Sequence, residues 1–171
     1  MTAAARQRFQ TLVTEFGVAI DRLCAGYERD DARAAELRQD VWLGVWRALP
    51  SFREEATWRT WVFRVAHNVA SSHVRRRIRD RSTPVAHPSD DLAPDPQGSP
   101  ERQRSNAERR ERLRTAIAGL RPIDRQVILL YLEDLSQAEI ADITGITRTN
   151  VSTRIGRIKA ELTRTLQETS R

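Results

Sequence analysis

The sequence is short of several residue types, and each shortage excludes a class of protein. Its 171 residues include a single cysteine, Cys24, which excludes an internal disulfide and a cysteine-rich zinc site. No stretch approaches the ~20 consecutive apolar residues that a membrane span needs. Residues 1–16 carry charges where a signal peptide needs an apolar run. We therefore expect a soluble, cytoplasmic protein without membrane insertion.

Lysine is also nearly absent, because 28 of the 29 basic residues are arginine and the other is Lys159. GC-rich coding can produce this bias without any function, yet the planar guanidinium also suits phosphate. The net charge of +6 is uneven: residues 1–81 carry +5, residues 82–100 carry −3 and residues 101–171 carry +4. Two basic blocks that flank an acidic connector indicate a polyanionic partner.

Proline marks a boundary between two domains. Five of the seven prolines fall between positions 84 and 100, in a stretch with few apolar residues and no helical period. A structureless segment of this length is unusual inside one compact domain. We therefore predict a flexible linker over residues 82–100, between domains at 1–81 and 101–171.

Both domains are predicted to be helical. Apolar residues recur at intervals of three and four, and no segment alternates with the period of two that is typical of a strand. In the first domain the pattern predicts one helix over residues 9–23 and a second over 37–49, which Pro50 ends. A third helix is predicted from about Thr57 and ends in the arginine-rich run 75–81. The predicted fold class is all-α, with two small helical domains.

Four helices are predicted in the second domain. The first is centred near Ile117 and the next begins near Pro122. A capping box, Ser-Gln-Ala-Glu, begins the third helix at Ser136, and Gly145 is suited to end it. The fourth helix begins after Thr147, its predicted N-cap residue.

Residues 136–158 have the form of a helix-turn-helix, in which the second helix enters the major groove of DNA. The alternative is a plain helical hairpin with a solvated basic face. Arginine bonds guanine, asparagine bonds adenine, and threonine contacts base or phosphate. The residues that we expect to contact DNA here are Arg148, Thr149, Asn150, Thr153, Arg154 and Arg157.

Two segments together resemble a known family. Residues 120–162 resemble region 4 of bacterial RNA polymerase sigma factors of the extracytoplasmic-function (ECF) group, in the sigma-70 family. Residues 34–77 resemble region 2 of the same group, and the Pro-rich segment separates the two. The region 2 resemblance rests on Glu36-Leu37-Arg38-Gln39-Asp40, Val45-Trp46-Arg47-Ala48-Leu49, Thr60-Trp61 and Ala66-His67-Asn68.

The resemblance implies an initiation factor that binds core RNA polymerase, recognises and melts the −10 promoter element, and reads the −35 element with the helix-turn-helix. It implies a polymerase contact by Glu36, Gln39, Asp40 and Trp46, for which a solvated face and core packing are the alternatives. The −10 contacts that it implies are Phe52, Arg53, Arg59, Arg64, Asn68, Arg75 and Arg76. An anti-sigma factor is a further expected partner.

Some positions depart from the family pattern. Asp40 stands where the family usually has glutamate, and Arg64 and Val65 stand where housekeeping sigma factors carry the aromatic pair that melts DNA. A stand-alone helix-turn-helix regulator remains the alternative function. An enzyme is not expected, because there is no glycine-rich phosphate loop, nucleophile elbow or ligand cluster.

No metal or other cofactor is expected. His67 and His73 lie six residues apart without a cysteine or carboxylate at matching spacing. We expect His73 on the helix surface, in contact with phosphate or solvent, and Cys24 as a small buried residue beside the first apolar stripe.

Overall fold

The structure is a computed structural model that describes residues 2–79 and 100–168, without the side chains of residues 78, 100–107 and 168. These ranges contain helices and no strand, which confirms the all-α prediction for the described part of the chain. The predicted linker lies outside the described residues, except that its last residue, Pro100, begins a helix. The helices are α1 (Ala3–Tyr27), α2 (Asp31–Ala48), α3 (Trp58–Arg79), α4 (Pro100–Gly119), α5 (Pro122–Leu132), α6 (Gln137–Thr144) and α7 (Arg148–Glu168), with a short 3-10 turn at Leu49–Ser51.

The turn between α6 and α7 is fixed by the local chemistry that the sequence predicts. The Ser136 hydroxyl accepts from the Glu139 amide at 3.2 Å, and the Glu139 carboxylate accepts from the Ser136 amide at 2.9 Å. Gly145 ends α6 with a φ of 74°, in the left-handed region that glycine adopts without strain. Thr147 caps α7 by accepting from the Asn150 amide. The predicted helix-turn-helix is therefore present.

Each half of the chain buries its own apolar stripes. In the first half, α1, α2 and α3 enclose residues such as Ile20, Leu37 and Val62, which are fully buried. In the second half, α5, α6 and α7 enclose residues such as Ile140 and Ile158. Truncating one of these leucine or isoleucine side chains to alanine typically costs about 2–5 kcal/mol of stability.

The two halves also pack against each other, with α1 and α3 facing α4, α5 and α6. Gly26 of α1 lies so close to Leu129 of α5 that a Cβ atom at position 26 would overlap the leucine side chain. Arg22 of α1 donates two hydrogen bonds, at 2.8 and 2.6 Å, to the Glu133 carboxylate at the end of α5. In the described ranges no helix is long and apolar enough to cross a membrane.

Candidate functional site

The N-terminal half of α7 presents all six of the predicted DNA contacts on or beside one face. Val151, Ile155 and Ile158 are buried, and α7 packs against α4, α5 and α6. Arg148 and Thr149 are exposed in the first turn. Because the other four predicted contacts are spaced by three and four residues, they follow one surface of the helix. These are Asn150, Thr153, Arg154 and Arg157, of which Arg154 is partly buried and the others are exposed.

A buried carboxylate beneath this face was not predicted as a site residue. Asp124, in the first turn of α5, is only 3% exposed. It accepts from Arg154 at 2.6 Å, from Arg157 at 2.8 Å on both oxygens, and from Arg121 at 3.1 Å. Burial raises the pKa of Asp124, but these guanidinium groups outweigh it and hold the pKa below its ordinary value. The charged carboxylate thus ties α7 to α5.

The predicted polymerase-binding residues of α2 divide between an exposed face and a packed one. Glu36, Gln39 and Asp40 are all exposed, and their spacing places them on one face. Asp40 pairs with Arg76 of α3 at 3.6 Å, a contact between two half-exposed side chains. Trp46 is partly buried and meets the Phe9 ring of α1 edge to face, with the ring centroids 5.0 Å apart. Core packing therefore accounts for part of the Trp46 surface.

The loop between α2 and α3 is built on an aromatic cluster. Phe52 stacks on Trp58 with ring centroids 3.7 Å apart, and it meets Trp61 edge to face at 5.3 Å. Arg53 is exposed beside this cluster, and the next residue, Glu54, turns the chain with a φ of 59°. The predicted loop residues are thus held by aromatic packing, with Arg53 free to reach a ligand.

The predicted −10 residues of α3 differ in accessibility. Asn68, Arg75 and Arg76 are exposed. Arg64 is partly buried, and its Nε atom is buried without a partner among the described residues. Arg59 is partly buried and donates to the backbone carbonyl of Glu133, which belongs to the other half of the chain. Asn68, Arg75 and Arg76 are therefore accessible to a ligand. Arg59 is engaged by the second half of the chain.

Two histidines of α3 lie inside the fold. His67 is 7% exposed, and burial, with a further contribution from Arg75, lowers its pKa to about 4. His73 is buried and lies 2.9 Å from the carboxylate of the buried Glu28, so the prediction of a surface position was wrong. Burial raises the pKa of Cys24 to about 12, and its buried position confirms the prediction for this residue.

No group of three or more histidine, cysteine or carboxylate side chains within residues 2–79 and 100–168 is arranged to hold a metal ion. His73 instead lies beside an ion pair, because Arg77 binds the second carboxylate oxygen of Glu28. The burial of both histidines could have been predicted from their apolar neighbours in the sequence. On the same side, α3 carries four buried apolar residues, Val62, Phe63, Ala66 and Ala70.

Comparison with known proteins agrees with both halves of the fold. A model of sigma-70 region 2 matches residues 12–80, and a model of sigma-70 region 4 matches residues 110–162. The ECF RNA polymerase sigma factor SigC of Mycobacterium tuberculosis is 30% identical over 138 residues, which cover 80% of this chain and 71% of SigC. The RNA polymerase sigma factor CnrH of Cupriavidus metallidurans is 29% identical over 176 residues, which cover 98% of this chain and 92% of CnrH.

A solved structure extends the comparison to the fold. The sigma factor RpoE of Bartonella quintana, solved in complex with the anti-sigma factor NepR, superposes with a TM-score of 0.75. It is 22% identical, and the match covers 94% of this chain and 98% of that one. These findings favour a promoter-directing factor over a stand-alone regulator. The chain therefore belongs to the ECF group of the sigma-70 family, whose members are non-enzymatic initiation factors that direct RNA polymerase to promoters.

Proposed function

We propose that three surfaces of this sigma factor divide its work, in the cytoplasm, between polymerase and promoter. The α2 surface of Glu36, Gln39, Asp40 and the exposed part of Trp46 binds core polymerase and is called the docking face. The −35 surface is the α7 set of Arg148, Thr149, Asn150, Thr153, Arg154 and Arg157. The −10 surface comprises Phe52, Arg53, Arg59, Arg64, Asn68, Arg75 and Arg76.

The observation that carries the docking proposal is an exposed acidic face on a basic half of the chain. Glu36 and Asp40 lie in solvent on one side of α2, although residues 1–81 carry net +5. Such a face suits a cationic partner, because complementary charge speeds encounter and fixes orientation. The Asp40–Arg76 pair does not oppose docking, since an exposed ion pair contributes only ~0–1 kcal/mol.

The −10 proposal rests on exposed arginines at both ends of α3. Arg53 precedes the helix, whereas Arg75 and Arg76 lie near its C-terminal end. Guanidinium groups placed in this way suit the phosphates on either side of a melted segment. Phe52 contributes as part of the aromatic cluster, which supports the loop where an extruded base would be held by stacking.

The packing of the two halves limits access to Arg59 of the −10 surface. Arg59 donates to the Glu133 carbonyl, and the Thr60 hydroxyl donates to the Glu139 carboxylate at 2.8 Å. Both acceptors belong to the second half of the chain. Arg59 therefore reaches −10 DNA only after these contacts break, so we expect the halves to separate before the −10 element is bound.

An anti-sigma factor is proposed as a third partner. The support is the RpoE structure, which is described as a complex with the anti-sigma factor NepR. A protein antagonist that covers the docking face would compete with core polymerase. Co-purification of the tagged chain from its own bacterium, followed by mass spectrometry, tests this point: a small protein that core polymerase displaces is expected.

The docking face is tested by replacing Glu36, Gln39 and Asp40 together with alanine. We expect weaker binding of core polymerase at unchanged helicity, because all three side chains are exposed and none supports the core. The measurement is a pull-down titration with core polymerase, alongside circular dichroism.

A matched control replaces Gln10, Glu15 and Asp142, which are the same three residue types at exposed positions elsewhere. This variant should bind core polymerase as the unmodified chain does. If the docking variant also kept full affinity, the proposed polymerase contact would be wrong.

A further inference from the structure

Arg154 links the buried Asp124 to the exposed Asn150. Its Nη1 atom donates to Asp124 at 2.6 Å, and its Nε atom donates to the Asn150 side-chain oxygen at 2.7 Å. A guanidinium group has donors only, so the atom of Asn150 that faces it must be the oxygen. The amide nitrogen, with its two N–H groups, is therefore the end of Asn150 that points away from Arg154.

Asp124, at the buried end of this chain of hydrogen bonds, is held by more than one arginine. Asp124 is 3% exposed, and Arg157 binds both of its oxygens at 2.8 Å. Arg121, on the turn before α5, donates to it at 3.1 Å. Charge-assisted bonds of this kind restrict geometry, so three guanidinium groups around a buried carboxylate limit its orientation. Asp124 therefore fixes two of the α7 arginines, Arg154 and Arg157, and Arg154 in turn fixes Asn150.

We infer that Asp124 is a positioning residue for base recognition by α7, acting through Arg154 to present the Asn150 amide N–H groups to a base edge. The inference rests on the proposed role of α7 at the −35 element. Because the Asn150 oxygen is engaged by Arg154, we expect Asn150 to donate to an acceptor such as guanine O6 or N7, or thymine O4. Two-bond reading of adenine, which the sequence suggests, would require Arg154 to share that oxygen.

The same network divides the three α7 arginines that are predicted to contact DNA into two kinds. Arg154 and Arg157 are held back by Asp124, whereas the Arg148 side chain makes no hydrogen bond or ion pair with any residue in the described ranges. Arg148 is therefore the guanidinium that is free to read a base. Release of Arg154 and Arg157 would add two mobile cations that bind phosphate without regard to sequence.

The test is Asp124→Asn in the full chain assembled with core polymerase. The holoenzyme with unmodified sigma first selects promoters from genomic fragments. Its affinity is then measured for one selected promoter and for single-base variants of the −35 element. Asp124→Asn should reduce the preference at the base pair read by Asn150, a preference of about 5- to 150-fold for a well-placed contact. Binding to unrelated DNA should not weaken.

The salt dependence separates positioning from a merely structural role. Each released arginine that gains a phosphate steepens the slope of log affinity against log salt by about 0.9. We therefore expect a steeper slope for Asp124→Asn on unrelated DNA. A variant in which α7 had simply lost its packing would bind all DNA more weakly. Asp142→Asn is the matched control, because it makes the same charge change at an exposed position of α6 and should alter neither quantity.

A second variant decides the question if Asp124→Asn fails to fold. Arg154→Lys keeps the positive charge beside Asp124. A single ammonium group cannot reproduce the two hydrogen bonds that the guanidinium donates from different nitrogen atoms, one to Asp124 and one to Asn150. This variant should lose the same base preference at full helicity. Unchanged preference in a folded variant of either kind overturns the inference alone. If the unmodified holoenzyme shows no preference among −35 variants, the proposed function of α7 fails as well.

Discussion

His67 shows how burial changes the chemistry of a single residue. The ring is 7% exposed, and its Nδ1 atom has no partner among the described residues. Burial, and then the positive charge of Arg75, lowers its pKa from an ordinary value of 6.5 to about 4. The folded protein therefore holds this histidine neutral at pH 7.

This depressed pKa predicts a loss of stability in mild acid. The unfolded chain takes up a proton near pH 6.5 and the folded chain only near pH 4, so the contribution of His67 is complete above pH 6.5 and falls between these values. The loss reaches about 3 kcal/mol by pH 4. Urea unfolding at pH 7 and pH 4.5 should show a smaller loss for His67→Gln than for the unmodified chain. Equal losses would show that His67 does not titrate in this way.

At the residue scale, the sequence predicts caps and turns better than it predicts buried charge. Ser136, Gly145 and Thr147 act as predicted because a cap depends on neighbours three residues away. The sequence predicts His73 on the surface, whereas the structure buries it against Glu28, which is 45 positions distant in the sequence. No local pattern reports a contact of that kind.

Among the elements, α7 combines a stable apolar stripe with an adaptable polar face. Its periodicity was sufficient to predict the helix and to place all six candidate contacts on or beside one face. The anchoring of Arg154 and Arg157 by Asp124 was not predictable, since an aspartate in the first turn of α5 is equally explained by the helix dipole. Composition shows which groups are available, whereas tertiary contacts show which of them are free.

Arg148→Ala tests the freedom of the first-turn arginine. Removal of a base-reading arginine should cost ~1–3 kcal/mol on the preferred −35 sequence and relax the preference at one base pair. The measurement is a competition titration of the holoenzyme against single-base −35 variants. Arg164→Ala, at an exposed position nearer the end of α7, is the control and should leave the preference intact. A loss that is equal on every sequence would make Arg148 a phosphate contact.

At the scale of the whole molecule, the sequence predicts two helical units but not their contact. The predicted linker pointed to two domains without a fixed relation. The interface includes Gly26, which leaves room for the Leu129 side chain, and polar pairs such as Ser71–Gln126 at 2.8 Å. Each of these residues is unremarkable within its own helix. Their complementarity becomes visible only when the two halves are brought together.

Gly26→Leu should separate the halves. The new side chain at position 26 would occupy the volume that the Leu129 side chain fills. Because leucine is a better helix former than glycine, α1 itself should be strengthened. We expect a larger radius of gyration in X-ray scattering and tighter binding of single-stranded −10 DNA, because Arg59 is released. Each ~1.4 kcal/mol removed from the contact raises the ratio of open to closed molecules about tenfold.

Gly17→Leu is a control for this variant on the same helix, because a Cβ atom at position 17 would meet nothing within 4 Å besides its chain neighbours and the nearby backbone of α1. It should leave the radius of gyration and the DNA affinity unchanged. If Gly26→Leu were as compact as the unmodified chain, the contact between the halves would not limit access to Arg59.

Promoter opening by this sigma factor should require core polymerase, because the isolated chain meets the −10 and −35 elements without the enzyme that holds them. Permanganate footprinting of promoter thymines, with and without core enzyme, tests it most directly. We predict weak, strongly salt-dependent binding and no reactive thymines for the isolated chain, and reactive thymines in the −10 region once core polymerase is added. Strong sequence-specific binding by the chain alone, with no gain in affinity and no melting on addition of polymerase, would contradict the account.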